Sequence, residues 1–286
     1  MTANFNRLVF VLGLMVAALE TPLAAQHTTT VGLDHIPVVV AELGRSITAY
    51  GALGFTLKAG RPHTNGIQNA HVKFQDGAGI ELVAAPMATD ALAAYYVDLL
   101  KSGEGPAFLT LHARDTKRLH AALREGGYEF QQRGQITTLS ARELDWLFIV
   151  RDNRSPTDRP EHFTHANGAT ALGAVWVATK HGDVLAHLLA QLGGRQQRRQ
   201  VLAPDSVEAT VVTLGEGEIV ILTEQHQLIP GRPVVGVSFR VSDLRKVRRV
   251  LAQARIEPRT RTETNERILV EPSIAHGLWL EFRGRS

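Results

Sequence analysis

Two side chains in this sequence, His35 and Glu81, open the clearest route to chemistry. An imidazole and a carboxylate together suit a borderline divalent ion such as zinc, iron, manganese or nickel. Each also has a plainer use, His35 packing within a sheet and Glu81 pairing with an arginine. A catalytic metal generally needs three protein ligands and one open position, so the pair requires a third. Glu281, near the C-terminus, and His63 are the candidates. Neutral His63 could instead act as a general base near pH 7, with Glu81 as a second proton carrier. Asn69 could hold a substrate oxygen, although Asn65-Gly66 just before it is a turn signal in its own right. His112, Trp146, Trp176 and Trp279 fall on strand-like stretches and could line a binding site, with core packing the ordinary role of any one tryptophan.

Other chemistries are absent. The 286 residues contain no cysteine, which removes disulfides, thiol nucleophiles, iron–sulfur clusters and thiolate zinc sites. There is no phosphate-binding Walker loop, no Gly-x-Gly-x-x-Gly opening a helix and no Gly-x-Ser-x-Gly elbow. Apolar residues make up 44% and charged residues 21%, the balance of a globular chain. The net charge of +3 is spread along the sequence, apart from Arg195–Arg199, which reads as a solvated loop. Aromatics at 6% are too sparse for the interleaved basic stripe of a nucleic-acid binder.

The elements that must position these residues repeat four times. Each pass opens with a β-branched strand, crosses a polar turn, enters an amphipathic helix and returns through further strands. The first opens at Gly32–Val40, carries Leu43, Ile47 and Tyr50 at helical spacing, and ends its helix at Gly54-Phe55. Its later strands, Ala70–Phe74 and Ile80–Ala84, flank Asp76-Gly77, a hairpin signal. The second opens at Ala107–His112, the third at Ala174–Val177 and the fourth at Val235–Val241. One such unit leaves a sheet face uncovered, so the units must pair. The Pro- and Asp-rich stretch Arg151–Glu161, which includes Asn153, divides them two and two.

Leu33-Asp34-His35-Ile36, Leu53-Gly54-Phe55-Thr56, Arg61-Pro62-His63, Gln68-Asn69-Ala70 and Phe74-Gln75-Asp76-Gly77 leading into Ile80-Glu81-Leu82-Val83 closely resemble the glyoxalase-like family of the vicinal-oxygen-chelate superfamily. Pro160-Glu161-His162-Phe163 and His165-Ala166-Asn167-Gly168-Ala169 resemble the junction before that family's second half. The resemblance implies an α+β fold of four βαβββ modules paired into curved, cup-like mixed sheets, often around a divalent metal. It also implies that the His35 and Glu81 positions are metal-ligand positions. The equivalent opening positions, Ala107, Leu172 and Val235, cannot bind metal, and of the closing positions only Glu281 can. His165 and Asn167 are expected to hydrogen-bond across the junction.

The N-terminus reads as an export signal. Arg7 precedes the apolar run Leu8–Leu19, and Leu23-Ala24-Ala25 supplies small residues for cleavage. The expected organisation is a signal peptide over 1–25, one half over 31–155, a linker over 156–167 and a second half over 168–286. The protein should therefore be periplasmic or secreted, off the membrane after cleavage and free of nucleic acid, with a homodimer left open. Two functional readings stand together. One is a divalent-metal-dependent lyase, isomerase or ring-cleaving oxygenase for a small oxygenated substrate, with metal at His35, Glu81 and Glu281 and substrate at His63, Asn69, His112 and Trp146. The other is a metal-free protein that binds or sequesters a small molecule, and a purely structural module is a third.

Overall fold

A computed structural model describes residues 31–151, 154–261 and 267–284. The export-signal reading over 1–25 and Asn153 lie outside the described residues. The first unit comprises β1 (Gly32–Leu33), β2 (His35–Val39), α1 (Leu43–Ala52), β3 (Lys58–Ala59), β4 (Gln68–Lys73) and β5 (Gly79–Ala84). Helix α2 (Ala91–Leu100) follows. The second unit comprises β6 (Gly105–Pro106), β7 (Leu109–His112), α3 (Thr116–Glu125), β8 (Phe130–Arg133), β9 (Ile136–Leu139) and β10 (Leu147–Val150). The third comprises β11 (Ala169–Ala178), α4 (Gly182–Gln191), β12 (Arg195–Leu202), β13 (Ser206–Thr213) and β14 (Glu218–Leu222). The fourth comprises β15 (Val234–Val241), α5 (Leu244–Gln253), β16 (Arg259–Arg261), β17 (Arg267–Val270) and β18 (Trp279–Arg283).

Local chemistry explains the boundaries. Gly54 at φ 83° ends α1, and Gly127 and Gly193 do the same beyond α3 and α4, a left-handed stop that suits glycine. Asp115 and Asp243 cap α3 and α5 by accepting the backbone N–H of Arg118 and Arg245. Asp76-Gly77 turns β4 into β5, with Gly77 at φ 95°. In every unit the first and last long strands run parallel, as β2 with β5, β7 with β10, β11 with β14 and β15 with β18.

Units pair edge to edge through their opening strands. In the first half Leu33 stands opposite Leu111 and Val38 opposite Pro106, antiparallel, and Ala107 N–H donates to the Pro37 carbonyl at 2.8 Å between these pairs. The sheets β3-β4-β5-β2-β6 and β1-β7-β10-β9-β8 therefore share one seam. In the second half the equivalent pairing of β11 with β15 lies inside one eight-stranded sheet. Unit one thus partners unit two, and unit four partners unit three.

The period-two alternation of the strands sorts side chains between two faces. Ile36, Val38, Val72, Phe74, Ile80 and Leu82 are buried against Tyr50 and Leu53 in a core that also takes in α3, α4 and α5 from both halves. Rings from each half meet there, Phe74 and Phe55 lying 5.7 and 5.0 Å from Phe239. The opposite face of the first sheet carries His35, His71 and Glu81.

Two elements differ from the sequence reading. Arg195–Arg199 belongs to edge strand β12, paired along its whole length with β13, and is not a loop. Its arginines are exposed, and exposed charge protects an edge strand from pairing with another chain. Helix α2 was not expected from the sequence. Asp90 caps it by accepting from Ala93 N–H at 2.8 Å, and it buries Ala93 and Tyr96 against Val39, Val83 and Phe108. It closes one end of the first-half cup.

Candidate functional site

Strand register places the chemistry. Pro37 and His71 both stand beside Glu81, and His35 lies two residues before Pro37, so His35, His71 and Glu81 share the face opposite the core. Asn69 and Lys73, two residues either side of His71, share it as well. These side chains line a cavity of about 380 Å³ together with His63. The mouth is completed by Gln135 from the β8–β9 turn and by 154–157 from the segment joining the halves. Unit one, unit two and the linker each supply a wall.

At its floor runs a hydrogen-bonded chain. Fully buried Asp34 accepts a very short bond from His35 Nδ1, and His35 Nε2 lies 3.2 Å from Glu81 Oε2. Asn69 Nδ2 donates to Glu81 Oε1 at 2.5 Å. Burial disfavours charge on His35, but the bonds to Asp34 and Glu81 outweigh it and hold the imidazole protonated well above the usual range. Burial likewise opposes charge on Glu81, yet His35, His71 and Asn69 hold its carboxyl below the usual range. His71 differs: burial, helped by the nearby His35 charge and opposed by Glu81, pushes it down to about 4, so it is neutral at pH 7. His35 retains 27% side-chain exposure, enough for a ligand to reach its edge.

Gly60 is part of this arrangement. A Cβ at residue 60 would stand 1.6 Å from Asn69 Oδ1 and 2.5 Å from the Asn69 carbonyl, so only glycine lets Asn69 reach Glu81. Asn69 Oδ1 is itself buried without a hydrogen-bond partner. Below, Lys58 and Lys73 both pair with Asp158 of the linker. The linker is tied down again by His165, whose Nδ1 accepts from Thr56 N–H at 3.1 Å and whose Nε2 lies 3.1 Å from the Lys73 carbonyl. Asn167 Nδ2 donates to the Leu53 carbonyl at 2.9 Å.

The donor set can be tested for a divalent metal. Two ligands about 2.0–2.2 Å from one ion lie roughly 3.2 Å apart at an angle near 100°, the spacing of His35 Nε2 and Glu81 Oε2. Asp34 on His35 Nδ1 is the outer carboxylate that orients a metal-binding histidine. The two side chains therefore fit an ion. Among the described residues, however, no three His, Asp or Glu side chains converge on a common point. His71 is the third donor nearest in register, facing the same cavity.

Of the remaining sequence candidates only His63 borders this cavity. Glu281 does not join His35 and Glu81, because unit four pairs with unit three. It is fully buried, with Arg267 at 2.9 Å, Arg283 at 2.5 Å and the Ser238 hydroxyl as partners. Trp146 packs in the core and donates its indole N–H to the Glu143 carbonyl at 2.9 Å, away from the cavity. His112 sits at the seam between halves, 2.9 Å from Glu216. His63 reaches the rim, exposed, within a turn closed by Gly66 N–H to its carbonyl at 3.0 Å. His71 was missed, although alternation from Asn69 would have found it.

The second half is filled where the first is open. Trp176 is fully buried on the corresponding face, its N–H bonded to Ser238 Oγ at 3.0 Å, and Trp279, Val220 and Leu269 pack with it. Glu281 there answers two arginines rather than a histidine.

A family profile described as a glyoxalase-like domain matches residues 33–193, more than half of the chain. No curated protein sequence gives a significant match. Solved structures share the fold at low identity. The 2,3-dioxygenase LapB from Pseudomonas sp. KL28 has 14% identity and a TM-score of 0.60, with 91% of this chain aligned to 94% of that one. A mutant of 4-hydroxymandelate synthase from Streptomyces coelicolor has 12% identity and a TM-score of 0.63, covering 89% of this chain and 92% of its own. Homoprotocatechuate 2,3-dioxygenase from Arthrobacter globiformis has 11% identity and a TM-score of 0.60, covering 90% and 81%.

Proposed function

This chain belongs to the glyoxalase-like domain family, of the vicinal-oxygen-chelate superfamily, and we propose that its first-half cup is a divalent-metal site for a small oxygenated substrate. The observation that carries this reading is the oriented pair at the cavity floor, His35 held by Asp34 and Glu81 held by Asn69, with donor atoms 3.2 Å apart. A bound ion would act as a Lewis acid on a chelating oxygen.

The chain's own residues supply the rest. Asp34 fixes the ring of His35 so that Nε2 faces the cavity. Asn69 keeps one Glu81 oxygen occupied and the other turned toward His35. Neutral His71, on the same wall, can hydrogen-bond a substrate oxygen, and His63 at the rim is the candidate to take a proton from a substrate hydroxyl or an acidic C–H. The reaction class is isomerisation, elimination or ring cleavage, each of which needs such a base beside a polarised oxygen. Export is part of the reading and rests on Arg7 and the apolar run Leu8–Leu19.

A second reading, metal-free ligand binding, is favoured by one observation: among the described residues no third His, Asp or Glu side chain converges with His35 and Glu81. Elemental analysis of protein purified without chelator or affinity metal separates the two. The metal reading expects near-stoichiometric transition metal that is lost in His35→Ala and kept in Glu281→Ala. No metal, and none taken up on addition, leaves the binding reading.

A further inference from the structure

The charges around the cavity are unbalanced. Among the described residues four basic side chains line it, Lys58, Arg61, Lys73 and Arg154, against one carboxylate, Glu81. Glu81 is already engaged by His35 and Asn69, and Asp158 behind the wall answers two lysines with a single charge. Arg61, at the exposed rim beside the β3–β4 connection, makes no ion pair among the described residues. A concave wall of one sign concentrates ions of the other, and a guanidinium takes a carboxylate through paired N–H donors.

From this geometry we infer that the cavity selects an anionic ligand, a small organic acid whose carboxylate meets Arg61 at the rim while its oxygen-bearing end reaches the His35–Glu81 floor. The inference rests on reading this cavity as the ligand site, but not on the metal. Size agrees, since about 380 Å³ holds a single-ring acid but little more. Among the described residues the second-half cup offers no equivalent, because Arg267 and Arg283 there pair with Glu281 and Trp176 fills the space.

The test uses two probes that differ only in charge, catechol and 3,4-dihydroxybenzoate, titrated calorimetrically into the full protein with and without added Zn²⁺. The acid should bind at least about tenfold more tightly than catechol, the worth of one charge-assisted pair. That preference should weaken with added salt. It should largely vanish in Arg61→Gln, survive in part in Arg61→Lys, and persist in the control Arg198→Gln on β12. Circular dichroism and thermal melting confirm that each variant is folded.

Equal affinity for the two probes, or a preference untouched by Arg61→Gln, overturns the inference, as does failure of both probes to bind. A charge preference with no response to Zn²⁺ upholds the inference and counts against the metal reading alone. Zn²⁺-enhanced binding of both probes without charge preference does the reverse.

Discussion

Replacing Gly60 by alanine should damage the site without touching any residue that contacts a ligand through chemistry of its own. The new Cβ would fall 1.6 Å from Asn69 Oδ1, so the Asn69 side chain must swing away and release Glu81. A hydrogen bond to a charged group is worth about 1.5–3 kcal/mol. The Cβ would also approach the Asn69 carbonyl at 2.5 Å, a backbone contact that side-chain rotation cannot relieve. That strain adds on the order of 1 kcal/mol, so Gly60→Ala should destabilise by about 2–4 kcal/mol. The assay is a double-mutant cycle with Asn69→Ala, read by urea denaturation. With Asn69 truncated, the larger clash is gone and the Glu81 bond already lost, so Gly60→Ala should cost at least about 1 kcal/mol less in that background. Strict additivity, or a Gly60→Ala protein as stable as wild type, would refute the claim that this glycine exists to admit Asn69.

Three further outcomes follow from other contacts. Glu281→Ala should lower stability by about 3–5 kcal/mol, because Arg267 and Arg283 lose the one carboxylate they share, while metal content stays unchanged. His165 is held below the usual histidine range by burial, so between that lowered value and about 6.5 the unfolded chain binds a proton that the folded chain does not. Stability is therefore complete above that window and falls as pH drops through it. His165→Gln should flatten this part of the slope in urea melts from pH 7.5 to 5; an unchanged slope would contradict it. Trp146→Phe, in the core, should reduce stability and leave ligand affinity at wild-type level, and a fall in affinity at unchanged stability would return Trp146 to the cup.

Much of this architecture was legible because alternation is a strong local signal. Ile36, Val38, Ile80 and Leu82 face the core, which leaves His35 and Glu81 on the other side by strand period alone. Strand β12 was hidden because as an edge strand its first six residues are all exposed, so no alternation appears in Arg195–Gln200. Helix α2 was hidden because it lies between repeats and is apolar on more than one face, with Leu92 and Tyr95 exposed beside buried Ala93 and Tyr96. The destination of Glu281 depended on which opening strands pair, a long-range choice between β2·β6 and any pairing with β15, and nothing local to Glu281 encodes it. His71 needed only the next step of the alternation that had already marked Asn69.

The central claim is that the open first-half cup, and not the filled second one, holds a divalent ion between His35 and Glu81. Crystals soaked in Mn²⁺ or Zn²⁺ and measured at the metal edge test it directly. The account predicts an anomalous peak about 2.0–2.2 Å from His35 Nε2 and a Glu81 oxygen, with the Glu281 region empty. A peak beside Glu281, or none at His35 under saturating metal, would contradict it.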